Sequence, residues 1–549
     1  MLSSPLGLAL IFIPIVAAAL ALYAMPSRFT RAARPTALAA ALVCLAFLAL
    51  HASAVAGGAR VQASPGNELG GVTLLMRSDP TAVTLALTAT IVAVLTLLER
   101  NRRRSEVLGV LICLAGTIAA AFAADTLTLF AGVETANIGT LLLCGRARGK
   151  VGRGLVAAVG LQHLASLGLL AAAVELQLSQ GTTAFAVLPA GAVTAGVAWP
   201  WALAGVMRLV GVGLIPIRGA PVAPGIWSAL VAVPSGAAIL LRLHQIQASG
   251  PLPLSTQVLL QVLGVMLAVA GTVLAVRYGR RSWALAGRGL CLGAAGPVIV
   301  MSAMPGSASE TGLAVGLAFT ELAVACSCAW ERPGAVPARR VANAGYLCAG
   351  ALPIGLGTTA LTFELGAVAA QGRAGLPVMI LLSVAAVACA AAATRLAWYA
   401  PAGARAAVWS SPVGLTAIAL SVFTAVMPGP ATTTISSLLV GSTVARSASA
   451  GSILGPGGGW AGGYFLIALT LLLMALYAAS RLLDVRLPAL RTASAEIRSG
   501  PLPLMPLRAI RGPIALALQA GDRVDEWLVV QPQLPLIVAG TILGLLLIH

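Results

Sequence analysis

Apolar runs follow one another along nearly the whole of this 549-residue chain, and short clusters of arginine separate them. Each run is roughly 20 residues long, which matches the hydrocarbon thickness of a bilayer. Hydrophobic residues make up 59% of the sequence and charged residues only 9%, and a soluble domain does not have that balance. The sequence therefore predicts an all-α polytopic membrane protein that lies in a lipid bilayer.

The apolar runs predict about 16 transmembrane helices. We place them at residues 5–24, 36–56, 81–98, 107–123, 126–144, 154–176, 195–215, 222–241, 254–276, 283–301, 311–330, 343–363, 376–394, 412–427, 460–480 and 533–549. A connector at 482–526, between the last two spans, mixes charged, apolar and proline residues. It is either an amphipathic helix that lies along the membrane or its neighbouring spans, or a solvated connector.

The basic residues indicate how these spans are oriented. Of the 34 lysines and arginines, 27 fall in alternate loops, which the positive-inside rule assigns to the cytoplasm. The loops of the other side hold Arg60, Arg77, Arg242, Arg373 and Arg446. This alternation predicts an even number of spans with both termini outside. Because the charges are spread over many loops, they do not predict a nucleic-acid-binding face.

A carboxylate near the middle of the fifth span, Glu134, is the first candidate functional residue. An ionised group in hydrocarbon costs several kcal/mol unless it is paired, hydrated or protonated, so such residues often relay protons. The alternative is a glutamate that faces a polar protein interior and has no role. Further candidates for a proton path are His163, Arg208, Glu321 and Glu364. His163 either relays protons or hydrogen-bonds a backbone carbonyl.

No cofactor is expected in this chain. The eight cysteines are scattered through apolar segments, and the pair Cys326 and Cys328 has no histidine or further cysteine beside it. The glycine-rich run 455–463 lacks the Lys-Ser/Thr ending of a phosphate-binding loop. The cysteines are therefore interpreted as buried thiols, and the glycine run as a connection.

Several stretches resemble the antiporter-like membrane subunits of respiratory complex I and of energy-converting hydrogenases of the formate hydrogenlyase type. Residues 125–134, Asp-Thr-Leu-Thr-Leu-Phe-Ala-Gly-Val-Glu, are similar to the pattern Asp-x-Leu-x-x-Phe-x-x-(Trp/Leu)-Glu of the family's fifth span. Ala-Pro at 223–224, Ser-Ala-Leu at 228–230 and Leu-Leu-Arg at 240–242 resemble the start and end of the eighth. Arg-Arg-Ser-Trp-Ala-Leu-Ala at 280–286 and Ala-Gly-Ala-Leu-Pro at 349–353 resemble parts of the tenth and twelfth.

The resemblance implies a divergent member with two inverted five-helix repeats, each of which contains a broken helix. It divides the chain into spans 1–3 at 1–106, a first repeat of spans 4–8 with span 9 at 107–276, a second repeat of spans 10–14 at 277–458, and spans 15–16 at 459–549. In the family, the glutamate of the fifth span modulates a lysine on the seventh. Further lysines or histidines on later spans pass protons along a hydrated axis.

This chain departs from the family's lysine pattern. Its single lysine, Lys150, lies in an inside loop, and the seventh span carries Arg208 instead. The lysine position of the eighth span falls at residues 233–237, where nothing is ionisable, and that of the twelfth falls near Ala360, one turn before Glu364. Arginine does not readily release its proton. We therefore expect an incomplete or rerouted proton path, with a dry apolar interruption at 233–237.

Together with these patterns, the resemblance implies a subunit without a redox centre in a bacterial plasma membrane, which works with other membrane subunits of a complex I-like or hydrogenase-like oxidoreductase. It would contribute to the translocation of H⁺ or Na⁺. Two alternatives remain open at this stage: a degenerate subunit kept only for the structure of such a complex, and a stand-alone secondary transporter of ions or a small solute.

Overall fold

Helices form almost all of the chain that a computed structural model describes. The described residues are 5–26, 30–56, 61–63, 74–99, 103–144, 153–189, 191–214, 224–246, 250–278, 283–304, 307–331, 339–350, 356–369, 371–372, 375–399, 411–426, 431, 434–435 and 438–439. All of them belong to one compact unit, residues 1–66 and 74–467. The predicted fifteenth and sixteenth spans and the connector 482–526 lie outside the described residues.

The helices follow the apolar runs. They are α1 Pro5–Ala24, α2 Thr30–Ala56, α3 Pro80–Leu98, α4 Arg104–Phe122, α5 Thr126–Cys144, α6 Arg153–Gln180, α7 Ala195–Leu214, α8 Pro224–Trp227, α9 Val233–Ile246, α10 Leu254–Tyr278, α11 Trp283–Ser302, α12 Ser307–Ser327, α13 Arg339–Ala349, α14 Leu356–Ala369, α15 Leu376–Tyr399 and α16 Pro412–Val426. A π-helical turn, Ser228–Ala232, joins α8 to α9.

Each of the first fourteen predicted spans lies on one or more of these helices. Among the described residues, ten helices are long and apolar enough to cross a membrane. The predicted class, an all-α polytopic membrane protein, is therefore confirmed, and the total of 16 spans stays a prediction. The twelfth predicted span is not one helix, because α13 ends at Ala349 and α14 begins at Leu356.

Hydrogen bonds between helix ends agree with the alternation of sides predicted from the basic residues. On one side, Arg34 near the start of α2 donates to the carbonyl of Leu97 at the end of α3, at 2.7 Å. On the other side, His51 near the end of α2 contacts the hydroxyl of Ser78, just before α3, at 2.6 Å. Arginine at helix C-termini satisfies carbonyls that the helix itself leaves unpaired.

Short strands and a buried carboxylate cover the side at which α3 and α5 begin. Strand β1, Val61–Ala63, pairs antiparallel with β2, Met76–Ser78. Asp125, the first residue of the fifth-span motif, accepts the backbone N–H groups of Leu75 at 2.6 Å and Thr128 at 2.8 Å. Burial raises the pKa of the Asp125 carboxyl, and these hydrogen bonds oppose the rise. Asp125 therefore joins the segment before α3 to the start of α5.

Arg242 was predicted to lie in an outside loop, and this prediction is wrong. The residue lies within α9, its side chain is 1% exposed, and it pairs with Asp79 at 2.6 Å. Asp79 also accepts the N–H of Ala82 at 2.8 Å, as the N-cap of α3. A buried arginine needs such a partner because an unpaired charge in a low dielectric is costly. The helix of the eighth span thus continues beyond its predicted apolar run, and the ion pair connects it to the start of the third span.

Two pairs of helices pack with their backbones in contact through glycine. In each of α4, α5, α10 and α11, two glycines stand seven residues apart: Gly109 and Gly116, Gly132 and Gly139, Gly264 and Gly271, Gly289 and Gly296. A Cβ atom at any of these positions would clash with the backbone of the partner helix. Small residues of this kind let membrane helices approach closely. The pair α4–α5 therefore packs like the pair α10–α11.

We predict that Asp79→Asn destabilises the folded chain by about 3–5 kcal/mol, because it leaves the buried Arg242 charge without its partner. Thermal unfolding of the detergent-purified protein measures this loss. Arg77→Gln is the matched control, since Arg77 also pairs with Asp79 but its side chain is 29% exposed. A shift no larger than that of the control would contradict the structural role of the Arg242–Asp79 pair.

The same pair predicts how stability depends on pH. Burial tends to raise the pKa of the Asp79 carboxyl, but the charge and hydrogen bond of Arg242 outweigh burial and hold that pKa below its ordinary value. The stabilisation is then complete above the carboxyl pKa of the unfolded chain, about 3.9, and is lost as pH falls through the lower folded value. The loss of folding stability on acidification should therefore be smaller in Asp79→Asn than in the unaltered protein, as thermal unfolding over a series of pH values measures.

Candidate functional site

Glu134 lies in the middle of α5 and points toward α6, where it meets His163. Its Oε2 is 2.9 Å from Nδ1 of His163. The carboxylate side chain is 24% exposed and the imidazole 43%, so the pair is reachable from outside the described helices. The contact is an ion pair when His163 is protonated and a hydrogen bond when it is neutral. The sequence left open whether His163 relays protons or hydrogen-bonds a backbone carbonyl. In the structure, the partner of His163 is the carboxylate of Glu134.

Arg208 approaches Glu134 from the other side through an intervening amide. The guanidinium of Arg208 is fully buried in α7 and donates to Oδ1 of Asn137 at 2.8 Å. The Nδ2 group of Asn137 donates in turn to Oε1 of Glu134 at 3.2 Å. Asn137 therefore bridges the carboxylate of Glu134 and the guanidinium of Arg208.

Ser166 completes this cluster. Its hydroxyl accepts from Asn137 at 3.2 Å and from Arg208 at 3.3 Å. Ser166 lies three residues after His163 on α6, so both side chains share one helix face. Three helices, α5, α6 and α7, thus contribute to one polar network that we call the Glu134 cluster: Glu134, Asn137, His163, Ser166 and Arg208.

The eighth-span segment 233–237 is buried but not wholly apolar. Val233 and Ala237 are each 1% exposed, as predicted for an apolar stretch. Ser235 between them places its hydroxyl 3.5 Å from Nη1 of Arg208. The segment therefore borders the Glu134 cluster through a hydroxyl that cannot titrate near neutral pH. The dry interruption expected here stays a prediction.

Glu321 and Glu364, the candidates of the second half, lie apart from the Glu134 cluster. Glu321 in α12 is 9% exposed, and neither carboxylate oxygen has a hydrogen-bond partner among the described residues. Glu364 in α14 is 2% exposed and lines a cavity of about 40 Å³ between α10, α11, α12, α14 and α15. The cavity is large enough for water, which needs roughly 10–15 Å³. Apolar side chains form most of its wall.

Sequence reasoning missed Asn137, although its position contained a signal. Asn137 is three residues after Glu134, and such a spacing puts two side chains on one face of a helix. It also missed a buried ion pair, in which Arg288 of α11 contacts Glu331 at 2.9 Å. Within the described chain, no three His, Cys, Asp or Glu side chains lie close enough together to hold a metal ion.

We predict that Asn137→Ala destabilises the folded chain by about 1–3 kcal/mol, because Arg208 loses its shortest hydrogen bond while its charge stays buried. Thr135→Ala is the matched control on the same helix, since the Thr135 hydroxyl bonds only the carbonyl of Ala131 in its own turn. Thermal unfolding of the two purified variants measures the difference. Equal stabilities would show that the Asn137 bridge between Arg208 and Glu134 does not stabilise the folded chain.

The sequence matches no family model and no curated protein. Solved structures do resemble it. A chain of the membrane-bound sulfane sulfur reductase, an archaeal respiratory membrane complex, has a TM-score of 0.64 at 14% identity, over 78% of this chain and 77% of that one. A chain of the Mrp complex from Dietzia sp. DQ12-45-1b has a TM-score of 0.62 at 17% identity, over 98% of this chain and 62% of that one.

A chain of respiratory complex I from Thermus thermophilus also matches, with a TM-score of 0.61 at 19% identity, over 79% of this chain and 99% of that one. The resemblance that the span motifs predicted is thereby confirmed at the level of the fold, and the low identities fit a divergent member. By its fold, this chain is similar to chains from these respiratory and Mrp membrane complexes.

Proposed function

We propose that this chain is a membrane subunit of a multi-subunit complex of the complex I, Mrp or sulfane sulfur reductase type, and that it contributes to the translocation of H⁺ or Na⁺. The fold supports the first part. The single observation that carries the second is the 2.9 Å contact of Glu134 with His163, which joins the fifth and sixth predicted spans. An intramembrane carboxylate that faces a titratable partner is typical of a proton relay.

His163 takes the part that a lysine of the seventh span plays in the family. Histidine is the side-chain type that gains and loses a proton near neutral pH, whereas the guanidinium of Arg208 stays charged. With neutral His163, the charges of Glu134 and Arg208 cancel. Protonation of His163 adds one positive charge beside Glu134. A change of charge near this pair shifts the equilibrium between neutral and protonated His163. The path is thus rerouted from the seventh span to the sixth.

A purely structural subunit is the second candidate, and the second half of the chain favours it. The matching glycines align Gly132 with Gly289 and Gly139 with Gly296. This alignment puts Cys291 and Ala294 at the positions of Glu134 and Asn137. Ala294 packs against an apolar cluster that includes Ala360 and Phe319, whereas Asn137 belongs to the polar Glu134 cluster. We also propose from this alignment that the second repeat begins at α10, the counterpart of α4, and not at the tenth span as the sequence analysis placed it.

Glu134→Gln in the assembled complex decides between the two functions. If the subunit translocates ions, coupled translocation in inverted membrane vesicles should fall about tenfold, which corresponds to about 1.4 kcal/mol in the barrier. His163→Gln should lower it similarly, and electron transfer should survive in both variants. Glu175→Gln is the matched control, because Glu175 lies on α6 with His163 but is exposed near its end. Translocation that equals the control would assign the subunit a structural role.

A further inference from the structure

The eighth span of the first half begins on the surface of the second half, at a buried carboxylate. Glu331 follows the end of α12, and its side chain is 3% exposed. Its Oε2 accepts the backbone N–H of Gly225, in the first turn of α8, at 3.0 Å. Its Oε1 accepts Nε of Arg288, in α11, at 2.9 Å. We call these three residues the Glu331 junction.

The shape of the junction holds the two halves at close range. A Cβ atom at position 225 would clash with the hydroxyl of Ser327 and lie 3.1 Å from the sulfur of Cys328. The small size of glycine therefore lets the start of the eighth span lie close against the end of α12. The N–H group of Gly225 also carries the partial positive charge of a helix start, which a carboxylate stabilises. Charge and close packing act at the same point.

The eighth span runs from this junction to the Glu134 cluster. At the end of α8, Trp227 donates to Thr140 of α5 at 3.0 Å, and in the π-helical turn the carbonyl of Leu230 accepts from Thr117 of α4 at 3.1 Å. Further along, Ser235 contacts Arg208 at 3.5 Å. A Cβ atom at the next position, Gly236, would lie 3.3 Å from Cβ of Arg208. One helix thus connects the second half to the buried guanidinium.

We infer that Glu331 is a positioning residue: it docks the start of the eighth span on the second half and thereby sets how that span lies against Arg208. This inference deepens the proposed function. It rests on the proposed function only where the test measures transport. A π-helical turn within the span supports it, since such turns are frequent at functional sites.

The test uses the assembled complex with Arg288→Met and Glu331→Leu combined. This double variant removes both charges, so no buried charge is left without a partner, and it removes the acceptor for Gly225. We expect the complex to assemble, coupled translocation to fall severalfold, and a structure of the variant to show Ser235 beyond 3.5 Å from Arg208. Glu310→Gln, on the same helix α12 but at its other end, is the matched control and should change neither measurement.

Gly225→Ala is the second variant, because its added Cβ displaces the start of the eighth span while the Arg288–Glu331 pair stays intact. It should reproduce the displacement and the loss of translocation. Ser235→Ala combined with the double variant should cause no loss beyond the larger single loss, since both act on the same contact. Losses that add, or an eighth span that keeps its place against Arg208 in the double variant and in Gly225→Ala, would overturn the inference.

The structural readout separates this inference from the proposed function. If Glu134→Gln leaves translocation intact, the proposed transport role fails. The position of Ser235 relative to Arg208 in the two junction variants still decides whether Glu331 positions the eighth span.

Discussion

Burying a charge away from water is the constraint on which the rest of this structure depends. Three arginines of the described chain are buried, and each is held by a partner on another part of the bundle. Arg208 is bonded to Asn137, Arg242 to Asp79 and Arg288 to Glu331. Because an unpaired charge in a low dielectric is so costly, these bonds determine which helices meet and at what depth. Contacts between apolar helix surfaces are less specific, because one apolar surface can pack against many others.

The two halves use the same packing for different chemistry. Glycines bring α4 against α5 and α10 against α11 with the same spacing. In the first half, the residues beside those glycines build the Glu134 cluster. In the second half, the corresponding positions are apolar, and Glu364 faces a mostly apolar cavity instead. The two halves thus repeat the helix packing but not the buried charged groups. Helix packing depends on the size of the side chains, whereas proton transfer depends on their chemical type.

The eighth span connects these two unequal halves. It contacts Glu331 and α5 through α8, α4 through the π-helical turn, and Arg208 and Asp79 through α9. Every described residue from Gly225 to Leu243 is buried. A helix without lipid contact is held entirely by protein, so a displacement at one end is transmitted to its other contacts. This is the physical basis for linking the Glu331 junction with the Glu134 cluster.

The sequence by itself determined the class of the protein, the position of its first fourteen spans and Glu134 as the first functional candidate. These follow from local properties: the length of an apolar run, the side on which arginines accumulate, and the cost of a lone carboxylate in hydrocarbon. Asn137 was also within reach of the sequence, because its spacing from Glu134 is that of one helix face.

Only the tertiary structure decided which charged groups meet. The contact of Glu134 with His163 joins residues 29 positions apart, and that of Arg242 with Asp79 joins residues 163 apart. Arg242 looked like a loop residue because its neighbours in sequence do not include its partner. Hydrophobicity and charge along a chain place groups at a depth in the membrane. The rotation of each helix, set by glycine contacts and buried hydrogen bonds between distant residues, decides which of those groups face one another.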